Sequence, residues 1–165
     1  MKKITCYRVI MWTLVLITMT AIFLFSSQPS QESSQLSDKV YEVVENIISI
    51  TTPSDTPPDI TESQRDVIIN FIRKSAHALI YTLLGFLLMG SFSLYEMKLS
   101  LRATCSSLIG VVYALSDEWH QTFVSGRSGE FRDVAIDFCG VISGIALMIL
   151  LIALINRIKK HKASA

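Results

Sequence analysis

Ionisable and hydrogen-bonding side chains gather at four places in this chain: Ser26-Ser27-Gln28, Lys74 with His77, Asp117-Glu118-Trp119-His120-Gln121, and Arg127 with Arg132-Asp133 and Asp137. Each cluster stands at one end of an apolar block. His77, Asp117, Glu118 and His120 are the acid–base candidates, because imidazole and carboxyl groups exchange protons usefully once partial burial has moved their pKa values. Lys74, Arg127 and Arg132 are cations suited to a phosphate, arginine through its planar fork. Tyr81, Gln121, Asp133 and Asp137 complete the candidate substrate-binding set. Asp117 with His120 (i, i+3) and Asp133 with Asp137 (i, i+4) have a spacing that could hold a divalent cation. That spacing is common on helices, and salt bridges of Asp117 or Asp137 with Lys74 or Arg132 account for the same residues, so neither a metal nor another cofactor is assigned. The chain has no H-E-x-x-H, G-x-S-x-G, P-loop or C-x-x-C motif, which leaves a serine-hydrolase elbow and a nucleotide site without support.

The elements that must position these residues are membrane helices. Half the residues are apolar and mean hydropathy is +0.44, and the apolar residues form blocks, not thin amphipathic stripes. A span needs about 20 mostly apolar residues. Residues 9–25, 76–94 and 134–155 qualify, and a weaker block at 103–119 holds Thr104, Ser106 and Ser107. The expected fold is therefore all-α: a single domain over residues 1–165, an integral membrane four-helix bundle with an extracytoplasmic amphipathic helical loop at 26–75. In that loop Leu36, Val40, Val43, Val44, Ile47 and Ile48 recur at helical spacing, with Asp38, Glu42 and Glu45 off the stripe. Lipid-surface helices usually carry Lys and Arg on the polar face, so this acidic helix is expected to pack over the bundle mouth. Pro53, Pro57 and Pro58 mark a linker. Thr61-Glu62-Ser63-Gln64 then reads as a capping box opening a helix that runs on into the second span.

Charge placement orients the bundle, since Lys and Arg accumulate on the cytoplasmic side of short loops and span ends. Four spans put Lys2, Lys3, Arg8, Lys98, Arg102, Arg157, Lys159, Lys160 and Lys162 inside, nine of the fifteen basic residues, against one inner acid, Glu96. The other side keeps six basic and thirteen acidic residues, a net −7 hidden within a total of +1. Both termini are thus expected in the cytoplasm of a multi-pass protein, with every polar cluster facing out. The first block is longer than a usual signal-peptide core and lacks an A-x-A-like site, so cleavage is not expected. Cys6, Cys105 and Cys139 have neither disulfide-framework nor metal-ligand spacing. The basic tail Arg157 to Lys162 reads as an anchor touching anionic lipid, and no feature suggests nucleic acid.

Helical spacing brings the clusters onto shared faces: Lys74, His77, Tyr81, Gly85 and Leu88 on the second span, Gly110, Ala114, Asp117 and Gln121 on the third, Asp133, Asp137, Gly140 and Gly144 on the fourth. Lys74, Asp117, Arg132 and Asp137 are expected to form one charge network. Gly140-x-x-x-Gly144 permits close helix approach. Lys74-Ser75-Ala76-His77 followed by Tyr81 and Leu84-Gly85, then Asp117-Glu118-Trp119-His120-Gln121, then Arg127, Arg132-Asp133, Asp137 and Gly140, with Phe25-Ser26-Ser27-Gln28 before them, resembles the ordered signature of VanZ-like bacterial membrane proteins. The resemblance runs from residue 9 to about residue 155. It implies a small multi-span protein of the bacterial cell membrane, from a family whose founding member gives low-level teicoplanin resistance; Asn also occurs in that family at the position of Asp137.

Three functions fit these residues. One is an enzyme, or a processor of carrier lipid, acting on a lipid-linked phosphate at the outer leaflet. Another is a non-enzymatic protein that binds or shields a cell-envelope amphiphile, such as a glycopeptide's lipid tail or a precursor's pyrophosphate. Transport is disfavoured, because polarity at one end of four short spans outlines no path across. Membrane lipids and such an amphiphile are the expected partners, and the oligomeric state is left open. The orientation is checked by thiol labelling of intact cells, with the native cysteines replaced. A cysteine at Ser54 or Ser128 reacts with an impermeant reagent and one at Ser164 does not; labelling at Ser164 would reverse the topology.

Overall fold

The computed structural model describes residues 2–29, 37–43, 46, 61–127 and 129–163. Four long helices carry the fold: α1 (Lys2–Ser26), α2 (Glu62–Ser93), α3 (Leu99–Gln121) and α4 (Phe131–Ala163). All four are long and apolar enough to cross a membrane. At about 1.5 Å per residue the 23 residues of α3 extend about 34 Å, enough for a hydrocarbon core of about 30 Å. The protein is an all-α membrane bundle. Short connections, Leu94 to Lys98 and Thr122 to Glu130, make α2, α3 and α4 antiparallel neighbours.

α2 opens where the sequence offers a cap. The Gln64 side-chain oxygen accepts from the Thr61 backbone N–H and from its hydroxyl, both at 3.0 Å, which satisfies a donor that a helix start leaves free. Of the stripe expected between residues 36 and 48, Leu36, Val44, Ile47 and Ile48 lie outside the described residues or their described side chains. In the helical piece 37–43, Tyr41 is buried while Val40 and Val43 are exposed. Asp38 accepts from Arg65 near the start of α2 at 3.1 Å, and the Arg65 guanidinium lies 5.7 Å from the Tyr41 ring centre. An ion pair and a cation–π contact to α2, not the valine stripe, thus set which side is covered.

Within the bilayer apolar residues gain little from leaving lipid, so association relies on tight packing. Val15, Ile22, Tyr81, Leu84, Leu88, Met89, Val141 and Ile145 fill the interior, whereas Leu79, Val112 and Leu150 lie on the outer surface. α2 and α4 share the most extensive contact, and three glycines allow it. A Cβ on Gly140 would stand 2.5 Å from the Ala78 carbonyl oxygen, one on Gly144 would overlap the Thr82 carbonyl oxygen, and one on Gly85 would overlap that of Val141. Backbone therefore lies against backbone. The closeness carries Tyr81, completely buried, and Asp137 towards each other from the two helices.

Several hydroxyls along the spans are satisfied by their own helix, as a medium without water favours. Thr18, Ser91 and Ser106 donate to the carbonyls of Leu14, Leu87 and Arg102 at 2.8–2.9 Å. This lets the serine-containing α3 span. At the end of the bundle holding the α2–α3 turn, Arg8 donates twice to the Leu94 carbonyl (2.8 and 3.2 Å) and Arg102 to that of Tyr95 (3.1 Å). The opposite end carries the candidate site.

Candidate functional site

Asp117 lies in the last turns of α3, 4% exposed. Ser26, the last residue of α1, donates its hydroxyl to Asp117 Oδ2 at 2.9 Å, and Gln121 Nε2, one turn on, donates to the same oxygen at 3.2 Å. Asp117 Oδ1 is buried and has no hydrogen-bond partner. Gln121 passes the chain of bonds outward, its Oε1 accepting from Arg127 Nη1 at 3.1 Å. Arg127 also donates to the backbone carbonyls of Gln28 (3.0 Å) and Phe25 (3.2 Å). These carbonyls lie at and just beyond the α1 C-terminus, where a cation complements the helix dipole. Gly126, at φ 76°, supplies the left-handed turn that folds Arg127 back. Burial, then the charge of Arg73, lowers the Arg127 pKa from its ordinary value, and a guanidinium keeps its proton nonetheless.

Glu118 faces the other way. Its Oε1 accepts the Glu130 backbone N–H at 2.7 Å, a carboxylate set against the start of α4. Glu130 in turn lies 3.6 Å from Lys74 Nζ, and Lys74 donates to Asp133 Oδ1. Lys74 therefore pairs with Asp133 and Glu130, in place of the network with Asp117, Arg132 and Asp137 expected from the sequence. The register explains this: Asp133 meets Lys74 at the rim, while Asp137 sits a turn deeper in α4. Arg132, about 100° round the helix from Asp133, is exposed and off that face.

Between these elements lies a cavity of about 370 Å³, lined by Asn70, Arg73, Lys74, His77, Glu118, Gln121, Gly126, Arg127, Glu130, Asp133, Ile136 and Asp137. Ligand pockets start at about 300 Å³. Of the sequence candidates, Lys74, His77, Glu118, Gln121, Arg127, Asp133 and Asp137 meet there. Asp117 stands behind the wall, with one ligand-capable atom each of His77, Asp117 and Asp137 within 4.8 Å of one another. Tyr81 lies deeper, its hydroxyl beside Asp117 and Asp137. Two candidates stand apart. Arg132 is outside the cavity, and His120 turns to α1, stacking on Phe23 with ring centres 4.6 Å apart and reaching Ser27 Oγ through Nε2 at 3.1 Å. Ser27 gives its own proton to the Phe23 carbonyl at 2.6 Å, so Nε2 of His120 is the donor in that pair. The Asp117 and His120 spacing is therefore split between different surroundings, whereas Asp133 and Asp137 both line the cavity, the first at the rim and the second a turn deeper.

Large aromatic side chains surround this level. Phe71, Trp119, Phe123 and Phe131 are 68–88% exposed, and each lies one to four residues from a lining residue. Aromatic rings collect at the membrane–water boundary. Among the described residues Tyr7, Trp12, Phe92 and Tyr95 supply aromatics at the other end, with the Arg8 guanidinium 4.3 Å from the Tyr95 ring centre.

A family model described as VanZ/LLP1 matches residues 11–153. The chain belongs to the VanZ/LLP1 family. Neither a curated protein nor a solved structure gives a match. The matched region holds all four helices' packed segments and every cavity-lining residue of this VanZ/LLP1 protein.

Sequence reasoning missed Asn70, Arg73 and Glu130. Asn70 and Arg73 were legible, since 70, 73, 74 and 77 follow the i, i+3, i+4, i+7 pattern of one helix face, extended a turn before Lys74. Glu130 carried no signal, because its place depends on the 122–130 turn. In this VanZ/LLP1 member Arg127→Met removes three charge-assisted bonds, each worth about 1.5–3 kcal/mol when buried and less at this half-buried position. A drop in the melting temperature of detergent-purified protein is expected, with Arg132→Met indistinguishable from the parent. Equal effects of the two would mean that Arg127 does not tie α1 to the α3–α4 turn.

Proposed function

We propose that the cavity receives the anionic head group of a cell-envelope amphiphile, a lipid-linked phosphate or a lipid-tailed glycopeptide such as teicoplanin, at the outer face of the bacterial cell membrane. The observation that carries this reading is the coincidence of level: a polar cavity of about 370 Å³ opens where exposed Phe71, Trp119, Phe123 and Phe131 mark the head-group zone. An amphiphile bound there keeps its tail in the bilayer. Arg73 supports anion binding best among the lining cations, because among the described residues its one hydrogen bond is to the neutral Asn70 side chain at 3.0 Å. Arg127 adds a second guanidinium already fixed in position. Outward placement of this end is supported by the basic residues at the other, Arg8, Lys98 and Arg102 with the Arg157 to Lys162 tail.

His77, Glu118 and Asp137 place acid–base groups along the cavity wall, as hydrolysis or transfer at a phosphate requires. Holding without turnover is the second reading. It is favoured by the engagement of Lys74, Arg127 and Glu118 in bonds that join helices. Purified protein is to be analysed by native mass spectrometry for retained lipid, then incubated with a lipid-linked pyrophosphate. A phosphate-bearing lipid retained by the parent and by Lys162→Ala, and reduced about tenfold in a folded Arg73→Gln protein, a loss of about 1.4 kcal/mol, is the expected result. Released phosphate marks an enzyme and unchanged lipid marks a holder. Equal retention by Arg73→Gln would remove the head-group site.

A further inference from the structure

The cavity lining contains four carboxylates, Glu118, Glu130, Asp133 and Asp137, against three cations, Arg73, Lys74 and Arg127. Asp117 adds a fifth acid behind the wall. Lys74 is committed to Asp133 and Glu130, and Arg127 to two carbonyls and Gln121. Asp117 and Asp137, 4% and 3% exposed, are left without a Lys or Arg at ion-pair distance among the described residues. Two converging carboxylates in a low-dielectric bundle repel each other and lack hydration. A shared proton or a bound cation relieves that repulsion.

We infer that His77, Asp117 and Asp137 form a site for a divalent first-row metal ion, Mn²⁺ or Zn²⁺, at the inner end of the cavity. Their donor atoms come from three helices, α2, α3 and α4, and lie within 4.8 Å of one another. Donors on one tetrahedral ion with bonds of about 2.1 Å stand about 3.4 Å apart. Side-chain rotation of about an ångström closes the difference. Three further observations point inward. Asp117 Oδ1 is buried and unpartnered while Oδ2 is held by Ser26 and Gln121, the arrangement in which outer hydrogen bonds aim a ligand carboxylate. His77 and Asp137 make no hydrogen bond among the described residues and both line the cavity. The buried Tyr81 hydroxyl stands beside the two aspartates, placed to donate to a metal-bound Asp117 carboxylate.

One imidazole and two carboxylates favour manganese or zinc over magnesium or calcium, which prefer all-oxygen sites. Three protein ligands leave a coordination position open to the cavity, the pattern of metal sites that engage a substrate or water. The site differs from the i, i+3 and i, i+4 pairs visible in the sequence, because each helix contributes one ligand. It stands independently of the identity of any head group, since the donors belong wholly to the chain.

Detergent-purified protein, stripped with EDTA and exchanged into chelator-free buffer, is titrated with MnCl₂ and separately with ZnCl₂, following bound metal by equilibrium dialysis and unfolding by melting temperature. One equivalent of either metal bound saturably, with a rise in melting temperature, is expected. His77→Gln and Asp137→Asn each weaken binding about tenfold or more, and Glu62→Gln leaves it unchanged. His77→Gln keeps the test open if Asp137→Asn does not fold, because His77 makes no bond to lose. Binding that is unsaturable, or equal in His77→Gln and the parent, overturns the site. Lipid retention, measured in the same EDTA-stripped protein, reports on the head-group reading separately.

Discussion

Burial of Asp117 and Asp137 inside an apolar membrane bundle is the constraint around which its helix ends are arranged. An isolated carboxylate there is expensive, and a helix surface facing lipid offers it nothing. Both therefore face the bundle interior, and the surrounding helix ends are drawn to them. Ser26 ends α1 with its hydroxyl on Asp117. Gln121 bonds to the same carboxylate and to Arg127, whose guanidinium returns to the carbonyls that end α1. One connected set of bonds thus joins α1, α3 and the turn that leads to α4. Removing a member strands its neighbours, and this is why such networks are more consequential than the sum of their exposed contacts.

Close packing elsewhere makes that arrangement accessible. Gly85, Gly140 and Gly144 let the backbones of α2 and α4 touch, and a side chain at any of them would have to push the helices apart. The same approach brings His77 and Asp137 to the same cavity wall. Lys74 closes the rim by pairing with Asp133 and Glu130, so the cavity owes its width to a glycine seam below and an ion-pair cluster above. Its polar lining then lies at the level of the exposed aromatics Phe71, Trp119, Phe123 and Phe131. Packing and charge converge on one place.

The all-α membrane fold was legible because apolar blocks of span length and the Thr61 to Gln64 cap each have a direct physical reading. The clustering of Lys74, His77, Asp117, Gln121 and Asp137 was legible as well, since helical periodicity puts each on the inward face of its span, whereas Arg127 reaches it from the turn. Pairing was not. Periodicity gives the face but not the depth at which two helices meet, so it leaves Asp117 and Asp137 open as partners of Lys74 when the register offers Asp133. His120 shares a helix end with Asp117, yet its ring is claimed by Phe23 of α1, a tertiary contact without a sequence signal. Glu130 depended on a turn whose path follows from Gly126 and from the Glu118 carboxylate. Of the expected stripe at 36–48 only Val40 and Val43 fall among the described side chains, and both are exposed, since Asp38 and Tyr41 are fastened to Arg65 and the outward side follows from that.

The central claim, that this cavity recognises an anionic head group at the membrane surface, is tested most directly by competition between a radiolabelled lipid-linked phosphate and its dephosphorylated alcohol for purified protein in lipid nanodiscs. The two ligands share a tail and differ only in the group that Arg73 and Arg127 would meet. Preference for the phosphate by about tenfold or more, weakening as salt screens the guanidinium contacts, is the result the account predicts. Equal binding of phosphate and alcohol, or a preference unaffected by salt and by Arg73→Gln, would contradict it.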